Sequence, residues 1–222
     1  MGTPPAAGAT GGATERKHST DPIPPTVLQA VKKLEAAARE SALHDAAQHL
    51  NRAGDLCARA GAGAEESAKQ LYGRAIDANL RAGDYAPAAA ICRKLIRFDP
   101  DVVRARCTLA FLAFGNRFRG DATAELEGYV AAVRRTETER FAIPRLRLLA
   151  NALPDPETKR LIAAKLRELG APDVAEAVEG EAESAAGSAV ERAGITAEEQ
   201  WQNLMKGALL EPDSMWRDYW LT

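Results

Sequence analysis

The side chains of this chain best suited to hold a metal or attack a substrate are His44, His49, Cys57, Cys92 and Cys107. Their spacing supports neither chemistry. His44 and His49 stand five residues apart, so on a helix they miss the i, i+4 alignment by which two imidazoles share one ion, and the neighbouring Asp45 supplies no third ligand. The cysteines contain no CxxC pair, and each falls on an apolar helical pattern with no base at a recognisable spacing. They read as reduced core thiols, and their odd number is incompatible with a complete disulfide framework. Gly8, Gly11 and Gly12 are not followed by Lys-Ser or Lys-Thr, so no phosphate loop forms, and no GxGxxG follows a strand. No catalytic residue, metal site or cofactor is expected, and the chain does not read as an enzyme. Arg134, Arg135, Arg140, Arg145, Arg147, Lys159, Arg160, Lys165 and Arg167 could line up as a basic stripe. Acidic residues are interspersed and the net charge is -2, so a solvated helix face is expected rather than a nucleic-acid interface.

The elements that position these residues all read as helices. Of 222 residues 46% are hydrophobic and only 5% aromatic, which favours helices packed closely through small side chains. Pro24 and Pro25 precede Thr26, a cap for a helix that carries Val27, Leu28, Val31 and Leu34 to about Glu40. The next helix starts near Ser41 and ends at Gly61-Ala62-Gly63, with Gly54 inside it. Further helices are predicted over 65–82, 85–97, 101–115, 121–136, 138–151, 156–169 and 172–184. The helix over 101–115 is apolar on nearly every side and should be the most buried. Breaks fall at Pro154-Asp155-Pro156 and Gly170-Ala171-Pro172. No strand is predicted.

One stretch has a recognisable form. Arg81-Ala82-Gly83-Asp84-Tyr85, with Ala88 behind it and Asp99-Pro100 closing it, reads as helix, tight turn, helix, stop. Over residues 69–102 it resembles the tetratricopeptide repeat, with Tyr72 at the large aromatic position and Pro100 at the terminal proline, whereas Ile76, Asn79 and Cys92 depart from the pattern. A second pair, Gly120-Asp121, lies 37 residues on, is followed by Ala124, and fits another repeat with a short insertion after Gly115. Arg52-Ala53-Gly54-Asp55 repeats the tetrapeptide in degenerate form. The resemblance implies an all-α, antiparallel helix-pair solenoid coiled as a right-handed superhelix, acting as a protein-binding adaptor, assembly factor or chaperone. It also implies a groove lined by Gln70, Gly73, Asp77, Leu80 and Arg81, then by Arg104, Cys107, Phe111 and Phe114. Gly73 and Asp77 do not fit the Lys, Asn and Arg pattern of domains that clamp a terminal carboxylate.

All three tryptophans, Trp201, Trp216 and Trp220, lie in the last 22 residues. Thr196 can cap a helix in which Trp201, Leu204, Met205, Ala208 and Leu209 form one apolar stripe. Met215, Trp216, Tyr219, Trp220 and Leu221 add an aromatic end, the residue types that anchor interfaces. Residues 171–222 hold 3 basic and 11 acidic side chains, a balance of -8, against 13 and 9, or +4, over 101–170. The tail is therefore expected to dock on a basic surface, either a partner's or the scaffold's own groove, or to cap the last repeat. In the second of these the chain would be a regulatory subunit held by its own tail. The chain divides into a flexible leader over 1–23, a repeat domain over 24–184, a linker over 185–195 and the tail over 196–222. The leader has no apolar run, and Ala6 stands where a myristoylation signal wants Ser or Thr. A cytoplasmic protein with a protein or peptide partner and no membrane insertion is expected. The 21 Arg against 8 Lys, with abundant alanine, match the codon bias of a GC-rich bacterial genome.

Overall fold

Helix α1, Pro25–Glu40, starts where two prolines meet. Pro25 takes the first helical position, where a missing N–H removes no intrahelical bond. Thr26, expected as the cap, therefore lies inside the helix, and no side chain caps this end. The computed structural model describes residues 23–115, 119–153, 155–186 and 197–210; all of the expected leader but Ile23, most of the linker, Thr196, Trp216, Tyr219 and Trp220 lie outside the described residues. Helix α2, Leu43–Ala60, buries one face of alanines with Leu50, Gly54 and Cys57. Ser41 bonds back to the Ala37 carbonyl at 2.8 Å instead of opening α2.

Helix α3, Glu65–Ala82, ends as the Gly-Asp pair requires. Gly83 is left-handed at φ 78°, and the Asp84 N–H donates to the Asn79 carbonyl at 2.9 Å. That 6→1 bond satisfies a carbonyl the helix end would leave orphaned, and only glycine adopts the φ without a Cβ penalty. Helix α4, Tyr85–Phe98, follows at once and buries Ala88, Ile91, Cys92 and Leu95. Helix α5, Val103–Gly115, is buried round its circumference, from Arg104 and Ala105 to Phe111 and Leu112. Helix α6 spans Arg119–Thr136 and α7 spans Glu139–Ala152. Asp155 caps α8, Pro156–Glu168, by accepting from the Thr158 N–H at 3.0 Å. Gly170 repeats the left-handed closure, with the Ala171 N–H on the Leu166 carbonyl at 3.0 Å, before α9, Pro172–Ala186. Helix α10, Ala197–Met205, runs into a π turn over Lys206–Leu210. Among the described residues there is no strand, and no helix is long and apolar enough to cross a membrane.

The second Gly-Asp pair behaves differently from the first. Gly120 and Asp121 are the second and third residues of α6 rather than a turn, and Ala124 is exposed where Ala88 is wholly buried. Starting α6 at Arg119 turns its buried face to Ala122, Leu126, Tyr129 and Val133. Consecutive helices pack on one another from α1 through α6 and again from α7 through α9, so the core is one run of small and branched side chains along the chain.

A polar clasp joins α2, α3 and α4. The Tyr72 hydroxyl donates to Asp55 at 2.7 Å, and Lys94 donates to Asp55 and to Asn51, each at 2.8 Å, while lying 5.0 Å above the Tyr72 ring. Burial opposes ionisation of Asp55, yet the hydrogen bonds from Lys94 and Tyr72 hold its carboxyl below the ordinary range. A depressed carboxylate contributes stability above its unfolded pKa of about 4 and loses it as the pH falls through the folded value. Thermal melts from pH 6 down to pH 3 should therefore show a shallower acid loss in Asp55→Asn than in the parent. The difference should be modest, because Asp55 is about a third exposed and partly screened.

Candidate helix-binding cleft

Helix α3 presents Gln70, Asp77 and Arg81 along one stripe, since steps of 7 and 4 residues return to nearly the same face. Opposite Asp77, α5 carries Arg104, 2% exposed, whose guanidinium donates to the Asp77 carboxylate at 2.6 Å. Burial pulls the Arg104 pKa down and Asp77 opposes that shift, so the pair keeps its charge by mutual contact. The same Nη2 donates to the backbone carbonyl of Leu209 at 3.3 Å. Carbonyls toward the C-terminal end of a helix sit at the negative end of its dipole, so a buried guanidinium suits that position.

The chain's own C-terminal helix thus lies against the scaffold. Helix α10 packs on α7, and its π turn packs on α3 and α7. Met205, Ala208 and Leu209 are buried, and Trp201 and Leu204 are half-buried against the core. Fully burying side chains the size of Met205 and Leu209 is worth about 1.5–3 kcal/mol each. The seat for Trp201 is Gly115 at the end of α5: a Cβ there would stand 2.5 Å from the Trp201 Cζ2. A helix capping the final pair would pack on α8 and α9; α10 instead reaches back to α3 and α7.

Beside this contact a cleft of about 470 Å³ stays open. Leu80, Arg81 and Tyr85 form one wall, and Gln202, Met205, Lys206 and Leu210 form the other. Gln70 and Arg81 are exposed, Asp77 and Phe114 are half-buried, and Leu80 is buried. Gly73, Cys107 and Phe111 are buried in the core rather than laid open as groove lining, because α5 is enclosed on all sides. Burial pushes the Cys107 thiol up to about 11, against Arg145, a hydrogen bond with Tyr129 and Arg104, and burial raises Cys92 further still. All three cysteines are free and buried.

The remaining sequence candidates are dispersed. His44 bonds Asp84 at 2.8 Å and Gln48 at 2.8 Å on the surface, and the hydrogen bond and charge of Asp84 raise its pKa. Among the described residues no cluster of His, Cys, Asp and Glu could hold a metal. The basic stripe breaks up: Arg145 and Lys159 are buried, and Arg135, Arg147, Lys165 and Arg167 pair with Asp101, Glu181, Glu168 and Glu179. The acidic partners of Arg147 and Arg167 come from α9, so part of the stripe's charge is met by surface ion pairs within the chain.

Sequence reasoning missed Gly115 as an aromatic seat and Arg104 as the group that holds the end of α10. A glycine ending a helix and one arginine among 21 carry no local signal of either role. The chain matches no protein-family model, no curated protein and no solved structure.

Proposed function

We propose that the chain is a noncatalytic, tetratricopeptide-like helical scaffold that binds a protein partner through the surface between α3, α5 and α7. The observation that carries this reading is the seating of α10: nine helical residues and a five-residue π turn lie on that surface through one apolar stripe and one captured carbonyl. A surface that holds a short helix by these means has the form of a helix-in-groove receptor. The short helix-turn-helix connections at Gly83 and Gly170 support the solenoid architecture. Ion pairing of the basic stripe argues against a nucleic-acid role.

Gln70 and Arg81 are exposed on α3, so they can be changed without touching the core. Proteins captured on the full chain should be compared with those captured on a Gln70→Glu, Arg81→Glu variant. A discrete set retained by the parent and reduced about tenfold or more on the variant is expected, the effect of losing roughly 1.4 kcal/mol at an interface. Equal retention on both, or turnover in a hydrolase and transferase screen, overturns the reading.

A further inference from the structure

We propose that α10 is a removable stand-in for an external amphipathic helix, and that such a helix, donated by another protein, takes the same seat by exchange. The inference rests on the scaffold reading above and adds its regulation and the chemistry of its partner.

The contacts described for α10 can be offered by a segment with no covalent tie to the scaffold: an aromatic on Gly115, apolar residues four, seven and eight positions later, and a backbone carbonyl near the C-terminal end on Arg104. The incoming helix is thereby oriented, aromatic end toward the end of α5 and C-terminal end toward Asp77 and Arg104. Departure of α10 leaves no bare charge in the fold, because Arg104 keeps Asp77 at 2.6 Å. A helix of this length is also marginal by itself, so it is ordered only while seated. Its π turn is a rare geometry found mostly as single turns at functional positions. Finally, α10 packs chiefly on α7, and its π turn reaches α3, far back along the chain.

The probe is a fluorescein-labelled peptide of residues 197–210, titrated by anisotropy into three full-length chains: the parent, Met205→Asp, and Met205→Asp with Gly115→Val. Met205 is 1% exposed, so an aspartate there expels α10 and leaves the seat intact. The peptide should bind Met205→Asp about tenfold or more tighter than the parent, the factor for a seat open one-tenth of the time or less. Adding Gly115→Val should abolish binding. Equal affinity for parent and Met205→Asp leaves the scaffold reading standing and overturns occlusion. No binding to a Met205→Asp chain whose α3, α5 and α7 amides stay as protected from exchange as the parent's overturns the cleft itself.

Hydrogen exchange on the unmutated chain provides the second test should Met205→Asp unfold. Amides of 197–210 should exchange at least tenfold faster than those of α3 and α5; exchange in step with α5 makes α10 part of the core and overturns the proposal. A parent that sediments as a dimer, dissociated by Met205→Asp, would name a second copy as the occupant and overturn the external partner.

Discussion

Arg104→Met should lower the stability of the full chain by about 3–5 kcal/mol, the cost of removing one member of a buried ion pair. Arg104 is 3% exposed at its side chain and Asp77 16%, so the carboxylate is deprived of its guanidinium in a setting where water compensates little. The Leu209 carbonyl loses this bond in the same step. Asp77→Leu in the Arg104→Met background should recover most of the loss, because two apolar side chains of similar volume carry no desolvation penalty. Urea melts of the parent, both single variants and the double variant would close the cycle. If the double variant is as unstable as Arg104→Met, the pair's charge is not what Arg104 supplies, and its packing or its bond to Leu209 is. Arg104→Lys should also fall short of the parent, since a compact, strongly hydrated ammonium costs more to bury than the delocalised guanidinium.

Most helix ends could be read from sequence because they are decided locally. Gly83 and Gly170 close helices with a left-handed φ that few other residues adopt, and α8 opens at the expected Pro154-Asp155-Pro156 break, whereas α1 opens on Pro25 rather than on a Thr26 cap. The stripe of Trp201, Leu204, Met205, Ala208 and Leu209 was legible for the same reason: periodicity belongs to the segment itself. Where that stripe docks was not legible. Arg104 and Leu209 are 105 residues apart, and nothing near either residue specifies the other. Arg104 and Arg106 make the point within one helix. Two residues turn the side chain by about 200°, so Arg104 meets Asp77 in the core while Arg106 donates to the Pro100 carbonyl at the surface. The Gly120-Asp121 pair shows the reverse failure, a short motif whose letters match and whose backbone does not, because α6 begins before it.

Gly54→Ala should destabilise the chain even though alanine is the better helix former. Arg52-Ala53-Gly54-Asp55 and Arg81-Ala82-Gly83-Asp84 share a residue pattern, but Gly83 closes a helix at φ 78° while Gly54 lies within α2 at an ordinary helical φ. Backbone freedom is therefore not what position 54 needs. A Cβ there would stand 2.7 Å from both Cδ1 and Cε1 of Tyr72, closer than carbon atoms pack. Tyr72 cannot swing aside cheaply: it is 2% exposed, its hydroxyl donates to Asp55 at 2.7 Å, and Lys94 lies over its ring. Overpacking of this kind costs about 1–3 kcal/mol, against a propensity gain of about 1 kcal/mol for removing a helical glycine. The steric cost should win for alanine, and by more for Gly54→Val, whose branched Cβ adds bulk and loses helix propensity. A net loss of about 1 kcal/mol for alanine corresponds to a fall in Tm of roughly 2–4 °C for a domain of this size. In a Tyr72→Leu background the ring is gone, and Gly54→Ala should become neutral or stabilising by up to about 1 kcal/mol. Calorimetry on the four chains decides between space and backbone: a Gly54→Ala chain that melts higher than the parent would mean that Tyr72 yields, and that α2 and α3 are not locked by this contact.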